Sequence, residues 1–123
     1  MQLITLLTSL FIAQPLVEYW LHRVVHRVHM HYHAHHHRHW SGGRYWSYAG
    51  DWAARGCIVV LVLVGWHVAA LMLLKYELAH LAAHVYPGFR YLHRHHFLHH
   101  RDATCNFSFS AIWPDRLFGT LSE

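Results

Sequence analysis

Histidine, in a spacing that occurs twice, constrains this chain more than any other feature. The first half contains His33-Ala34-His35-His36-His37 and the second contains His96-Phe97-Leu98-His99-His100, both with the pattern H-x-x-H-H. A pair spaced H-x-x-x-H precedes each cluster, and residues four apart lie on one face of a helix. Each pair can therefore aim two imidazoles at one point. Together the pairs and clusters supply ten candidate ligands: His22, His26, His33, His36, His37, His80, His84, His96, His99 and His100.

Ten imidazoles are too many for one four- to six-coordinate ion and suit two. Such sites bind zinc, copper, iron or nickel, and the sequence does not separate these metals. A closed structural zinc site needs only four ligands. The pattern therefore predicts a dinuclear site with open positions, which is typical of an enzyme. It leaves one alternative, a histidine-rich membrane protein that binds or handles metal without catalysis.

An acidic residue accompanies each histidine pair. Glu18 lies four residues before His22, and Glu77 lies three residues before His80. A carboxylate that accepts the free ring N–H of a ligating histidine fixes its tautomer. We expect Glu18 and Glu77 to play this part.

The remaining histidines are not expected to bind metal. His67 stands alone in an apolar run and is expected to be a hydrogen-bonded core residue. Those beside the clusters, His31 and His95 among them, are expected at exposed positions or around the ligands, so their replacement by alanine should have little effect.

Composition favours a membrane protein. Hydrophobic residues make up 54% of the chain and charged residues 13%, and 123 residues suffice for one domain. The run 3–17 is expected to be a membrane helix rather than a secretory signal, because it lacks a charged leading segment and a cleavage site. Tyr19 and Trp20 would then lie at the interface, with Arg23 on the cytosolic side. The chain has no nucleic-acid motif, and its two cysteines do not form a disulfide framework.

The apolar run 56–74 determines whether the two halves can meet. If it crossed a membrane once, the histidine clusters would lie on opposite faces and could not share a site. The stretch from Ser47 to His84 can instead supply two short helices that turn near Gly65-Trp66. We expect this hairpin, although a single straight span is the simpler interpretation of the hydropathy.

The ordered set of motifs resembles the fatty acid hydroxylase / sterol desaturase superfamily of histidine-rich, integral-membrane di-iron enzymes. The resemblance covers nearly the whole chain. In order, it is carried by Glu18-Tyr19-Trp20-Leu21-His22 with His26, His33-x-x-His36-His37, Tyr76-Glu77-Leu78-Ala79-His80 with His84, His96-x-x-His99-His100, Asn106-Phe107 and Asp115-Arg116-Leu117-Phe118-Gly119-Thr120. The chain departs from the family at Ser108, where relatives tend to have glycine.

This resemblance implies an all-α, integral-membrane domain over residues 1–123, shortened at its N-terminus, with the histidine site on the cytosolic face. It implies two iron ions, with zinc possible in a purified form, and an O₂-dependent hydroxylase acting on a fatty acid or sterol-like lipid. Desaturation on the same site is the alternative. A separate electron donor, cytochrome b5- or ferredoxin-like, is implied as a partner. The resemblance also adds Asn106 and Asp115 to the residues expected around the ligands.

Overall fold

The described part of the chain is entirely helical in its regular structure. This computed structural model describes residues 2–28, 33, 36–37, 49–85 and 90–123. Its elements, in order, are α1 (Gln2–Thr8), a π-helical turn (Ser9–Ala13), α2 (Gln14–Arg27), α3 (Ala49–Leu63), α4 (His67–Val85), α5 (Arg90–Arg101) and α6 (Trp113–Leu117).

A π-helical turn allows one long helix to accommodate Pro15. The backbone N–H of Gln14 bonds the Ser9 carbonyl, so it is not available to Leu10. The next residue, Pro15, has no N–H to offer. The side chain of Lys75 in α4 supplies the missing donor, since its Nζ lies 2.7 Å from the Leu10 carbonyl oxygen. The lysine thus ties α4 to the irregular point of the first helix.

The predicted hairpin is confirmed. Helices α3 and α4 pack against each other and are joined at Gly65, whose φ is +81°. The N–H of Gly65 bonds the Val62 carbonyl at 3.1 Å and the N–H of Trp66 bonds the Leu61 carbonyl at 2.8 Å, which is the Schellman arrangement that ends a helix at a left-handed glycine. The straight span over 56–74 is therefore broken in its middle.

The expected core position of His67 is wrong. His67 is the first residue of α4 and is exposed, because the turn at Gly65 brings it out of the apolar run and onto a helix end.

The C-terminal segment folds back onto α2 and α5. Asn106 has a φ of +55°, a conformation in which asparagine is tolerated better than most residues. Its N–H donates to the Thr120 carbonyl at 2.9 Å, and its side chain bonds the backbone of Ser122. These bonds close residues 106–122 into a loop that contains α6 and packs on α2.

The continuous helix Gln2–Arg27 is long and apolar enough to cross a membrane. Trp52–Leu63 is a shorter apolar helix. Among the described residues, then, one helix meets the length and hydropathy of a membrane span.

Candidate metal centre

Five imidazoles converge in a first group that we call group A: His22, His26, His33, His37 and His99. One ring nitrogen from each lies within 4.8 Å of the others. His22 and His26 lie one helical turn apart on α2, and His99 lies on α5. All five ring nitrogens are thus within reach of one metal ion.

Three imidazoles form a second group, group B: His36, His96 and His100. The ring of His80 on α4 adjoins them, with its centroid 5.0 Å from that of His36 and 4.9 Å from that of His96. The side chain of His84, the remaining predicted ligand, lies outside what the structure describes. Group B can hold a metal ion as well.

The two H-x-x-H-H clusters exchange one histidine each. His36 comes from the first half of the chain and joins group B, while His99 comes from the second half and joins group A. The groups adjoin, since the rings of His37 and His100 stack with centroids 4.4 Å apart. Histidines from both halves of the chain therefore lie together, as the sequence predicts. The exchange itself could not be read from the spacing.

Backbone carbonyls fix the orientation of two ligands in group A. The Nδ1 of His22 lies 2.6 Å from the Phe107 carbonyl oxygen, and the Nδ1 of His99 lies 2.6 Å from the Cys105 carbonyl oxygen. A carbonyl can only accept, so each Nδ1 carries the proton and each Nε2 turns its lone pair toward the group. Converging lone pairs repel one another, and a bound cation relieves that repulsion.

The expected direct bond between Glu18 and His22 is replaced by an indirect connection. The buried Glu18 carboxylate accepts hydrogen bonds from the N–H of Phe109 and from the N–H and Oγ of Ser110. It also accepts one from Gln14 Nε2 at 2.9 Å. Glu18 therefore fixes the segment whose Phe107 carbonyl orients His22. Glu77 is buried on α4.

Asp115 fixes the other side of the same segment. Its fully buried carboxylate accepts the N–H of Phe107 at 2.8 Å and the N–H of Ser108 at 2.9 Å. Thr120 Oγ1 donates to it at 2.7 Å and His95 Nε2 lies 3.2 Å away. Burial raises the pKa of this carboxyl, but the bonds it accepts outweigh burial and hold the pKa below its usual value. Asp115 thus remains an acceptor.

His95 is more important than the sequence indicated. It is buried, pairs with Asp115, and its carbonyl accepts a bond from Asn106 Nδ2 at 3.2 Å. We therefore expect His95→Ala to have a larger effect than the sequence indicated, because the substitution removes a buried partner of Asp115. Its position beside His96 gave no sign of this pairing.

Two phenylalanines close the centre on one side. Phe109 is buried, and its ring centroid lies 4.6 Å from that of His22 in group A and 4.7 Å from that of His96 in group B. The ring of Phe107 adjoins His99 at 5.6 Å. They stand two residues apart in the chain and present an apolar wall to the imidazoles. The Asn106-Phe107 motif was recognisable in the sequence, whereas no pattern marked Phe109.

An apolar cavity of about 350 Å³ lies between α2 and α4 and borders group A. Val17, Leu21 and Met72 line its walls, and His22 and His33 contribute to its lining. A hydrocarbon placed there would lie beside the converging ring nitrogens.

Burial keeps several imidazoles of group A neutral. Desolvation, followed by repulsion from neighbouring imidazoles, lowers the pKa of His33 to about 3 and that of His37 to about 4. Desolvation also holds the pKa of His99 well below its usual value, although the bond to Cys105 opposes the shift. Neutral imidazole is the form that binds metal.

We expect the metal-free protein to lose stability on acidification. Below pH 6.5, the ordinary pKa of histidine, His33 and His37 become protonated in the unfolded chain but stay neutral in the folded one. The free energy of unfolding should thus be highest above this pH and should fall as the pH drops toward 4. Thermal unfolding with a chelator at stepped pH measures the slope. The double variant His33→Gln, His37→Gln should flatten it, and an unchanged slope would contradict the assignment.

Ser108 offers a stabilising substitution. It is fully buried, and its Oγ has no hydrogen-bond partner within the described ranges. Ser108→Ala removes this buried hydroxyl and should raise the free energy of unfolding by about 1 kcal/mol. Ser110→Ala is the matched control, because Ser110 Oγ donates to Glu18 at 2.7 Å and its loss should lower the melting temperature. A lower melting temperature for Ser108→Ala would show that its hydroxyl is bonded.

No family model, curated protein or solved structure matches this chain.

Proposed function

We propose that this chain is a membrane-embedded, O₂-dependent lipid hydroxylase with a dinuclear iron centre held by groups A and B. One observation carries the proposal. The apolar cavity between α2 and α4 is lined both by hydrocarbon side chains and by His22 and His33 of group A. A metal ion beside a hydrocarbon-binding cavity suits oxidation of a C–H bond better than metal storage, which needs no apolar cavity.

The separations within group A favour a coordination number above four. The contacting Nε2 atoms lie between 2.8 Å (His26 to His33) and 3.2 Å (His22 to His26). A metal–nitrogen bond of about 2.1 Å puts neighbouring ligands about 3.0 Å apart at right angles and about 3.4 Å apart in a tetrahedron. The five imidazoles exceed the four ligands of a closed structural zinc site, and iron is the metal that we propose for this open site.

Group B supports a second ion. Its His96 and His100 bring their Nε2 atoms to 2.9 Å, and His36 and His80 adjoin them. His84 stands four residues after His80 on α4 and is proposed as a further ligand. Two ions, one in each group, account for all ten predicted histidines.

Reduced iron, when bound, supplies the O₂ activation that an unreactive C–H bond requires. The residues of the chain hold, orient and shield this centre. The Phe107 and Cys105 carbonyls orient His22 and His99, Phe109 excludes water from one side, and the cavity lays a hydrocarbon beside group A. One oxygen atom enters the product as a hydroxyl and the other leaves as water, with two electrons from a separate cytochrome b5- or ferredoxin-like donor and two protons from solvent.

Membrane placement follows from the same proposal. The apolar part of the helix Gln2–Arg27 would span the bilayer, and Arg23 and Arg27 near its end would lie on the cytosolic side. The histidine groups would then face the cytosol at the membrane surface, where a lipid chain can enter the cavity.

Isotope labelling tests the chemistry. Protein reconstituted with iron, a reductant, ¹⁸O₂ and bilayer lipids should release lipid that has gained one ¹⁸O atom, as mass spectrometry measures. Met72→Trp, which fills the cavity and leaves every predicted ligand unchanged in sequence, should abolish product and retain metal. Lipid that has lost two hydrogens without gaining ¹⁸O would indicate desaturation. Bound metal with no O₂-dependent product would favour the non-catalytic metal-binding protein.

A further inference from the structure

An apolar patch is exposed where α6 meets α2. It consists of Trp20, Leu117 and Phe118, which are 47%, 65% and 38% exposed. The patch is continuous, since the rings of Trp20 and Phe118 lie 5.2 Å apart edge to face. Phe118 also stacks on buried Tyr19 at 4.8 Å, so the turn after α6 is held firmly against α2. We call these three residues the interfacial patch.

The position of Trp20 along the first helix indicates how deep in a membrane the patch would lie. From Gln2 to Trp20 a helix rises about 27 Å, and the hydrocarbon core of a bilayer is about 30 Å thick. A helix whose apolar stretch before Trp20 lies in the hydrocarbon core puts Trp20 at the headgroup boundary, where tryptophan is enriched. Leu117 and Phe118 lie beside it and share that depth, although they come from the other end of the chain.

Positive charge surrounds the patch. The Arg23 guanidinium lies over the Trp20 ring at 5.6 Å and donates to the Tyr19 hydroxyl at 2.9 Å. Arg116 precedes Leu117 and is exposed. The acidic neighbour, Asp115, points into the protein and is fully buried. Apolar side chains flanked by arginines match a surface of acyl chains and anionic headgroups.

We propose that the turn after α6 is a second membrane anchor, in which Leu117 and Phe118 insert at the headgroup boundary beside Trp20 while Arg23 and Arg116 face lipid phosphates. This inference rests on the membrane placement in the proposed function. Asp115 lies two residues before Leu117 and holds the Phe107 backbone that orients His22. The anchor thus fixes the height of the metal centre above the bilayer.

Spin-label depth measurement tests the anchor. A single cysteine at Leu117, at Ala103 or at Leu7, in full-length protein carrying Cys57→Ser and Cys105→Ser, is spin-labelled and reconstituted into nanodiscs of phosphatidylcholine and phosphatidylserine. Collision with O₂ reports lipid, and collision with a water-soluble nickel chelate reports solvent. Leu7 is an exposed residue of α1, and Ala103 is an exposed residue beyond α5.

We expect the O₂-to-nickel collision ratio at Leu117 to be several-fold higher than at Ala103 and lower than at Leu7. A solvent-exposed label at Leu117 together with a lipid-exposed label at Leu7 would overturn the anchor and leave the membrane placement intact. Solvent exposure at both positions would overturn the membrane placement and the anchor together.

Discussion

Replacing His99 with alanine should reduce the bound metal from about two ions per chain to about one. His99 is the ligand that group A takes from the second half of the chain, and its ring is fully buried among the others. Loss of a residue around a ligand typically costs 10- to 100-fold in metal affinity, so loss of a ligand itself should cost at least about 100-fold. Titration with iron or cobalt, followed by metal analysis, measures the loss.

The exchanged ligand of the other group gives the complementary result. His36→Ala should empty group B and leave group A occupied, although His36 belongs to the same H-x-x-H-H cluster as His33 and His37. His67→Ala is the matched control, because this exposed histidine contributes to neither group. Full retention of metal by both ligand variants would contradict the two-group arrangement.

Asp115→Ala should be the most damaging substitution outside the ligands. It would leave buried donors of Phe107, Ser108, Thr120 and His95 without their acceptor. Removing the partner of such buried groups costs about 3 to 5 kcal/mol, which corresponds to a fall in melting temperature on the order of 10 °C. Metal affinity should fall as well, since the Phe107 carbonyl would no longer hold His22.

Asp102→Ala is the control for that variant. Asp102 is exposed and bonds Thr104 nearby in the chain, so its removal should leave the melting temperature and the metal content near wild type. Equal effects of the two substitutions would show that Asp115 has no special part in holding the segment.

Periodicity and turn chemistry made much of the fold predictable. A straight helix over the apolar run 56–74 would have kept the two halves of the chain apart. The glycine inside that run therefore indicated a hairpin, and Gly65 ends α3 as expected. The spacing of four also predicted that His22 and His26 would point together. These features are local, because they depend on residues within one or two helical turns.

The contacts that hold the ligands were not predictable in this way. Ring nitrogens of His22 and His99 donate to backbone carbonyls. Because every residue has a carbonyl, the sequence does not indicate which carbonyl accepts each bond. Glu18 was expected beside His22 and instead bonds residues 109 and 110, which are distant in the chain. Likewise, His95 is one of several neighbouring histidines, and its partner Asp115 lies 20 residues further along the chain.

Metal analysis of the wild-type chain, combined with electron paramagnetic resonance after loading with manganese(II), tests the central claim most directly. The two groups adjoin through His37 and His100, so two ions bound there must lie close enough to couple magnetically. We predict two ions per chain and the broadened spectrum of a coupled pair. One ion per chain, or two with the six-line spectrum of isolated manganese, would contradict a dinuclear centre built from both halves.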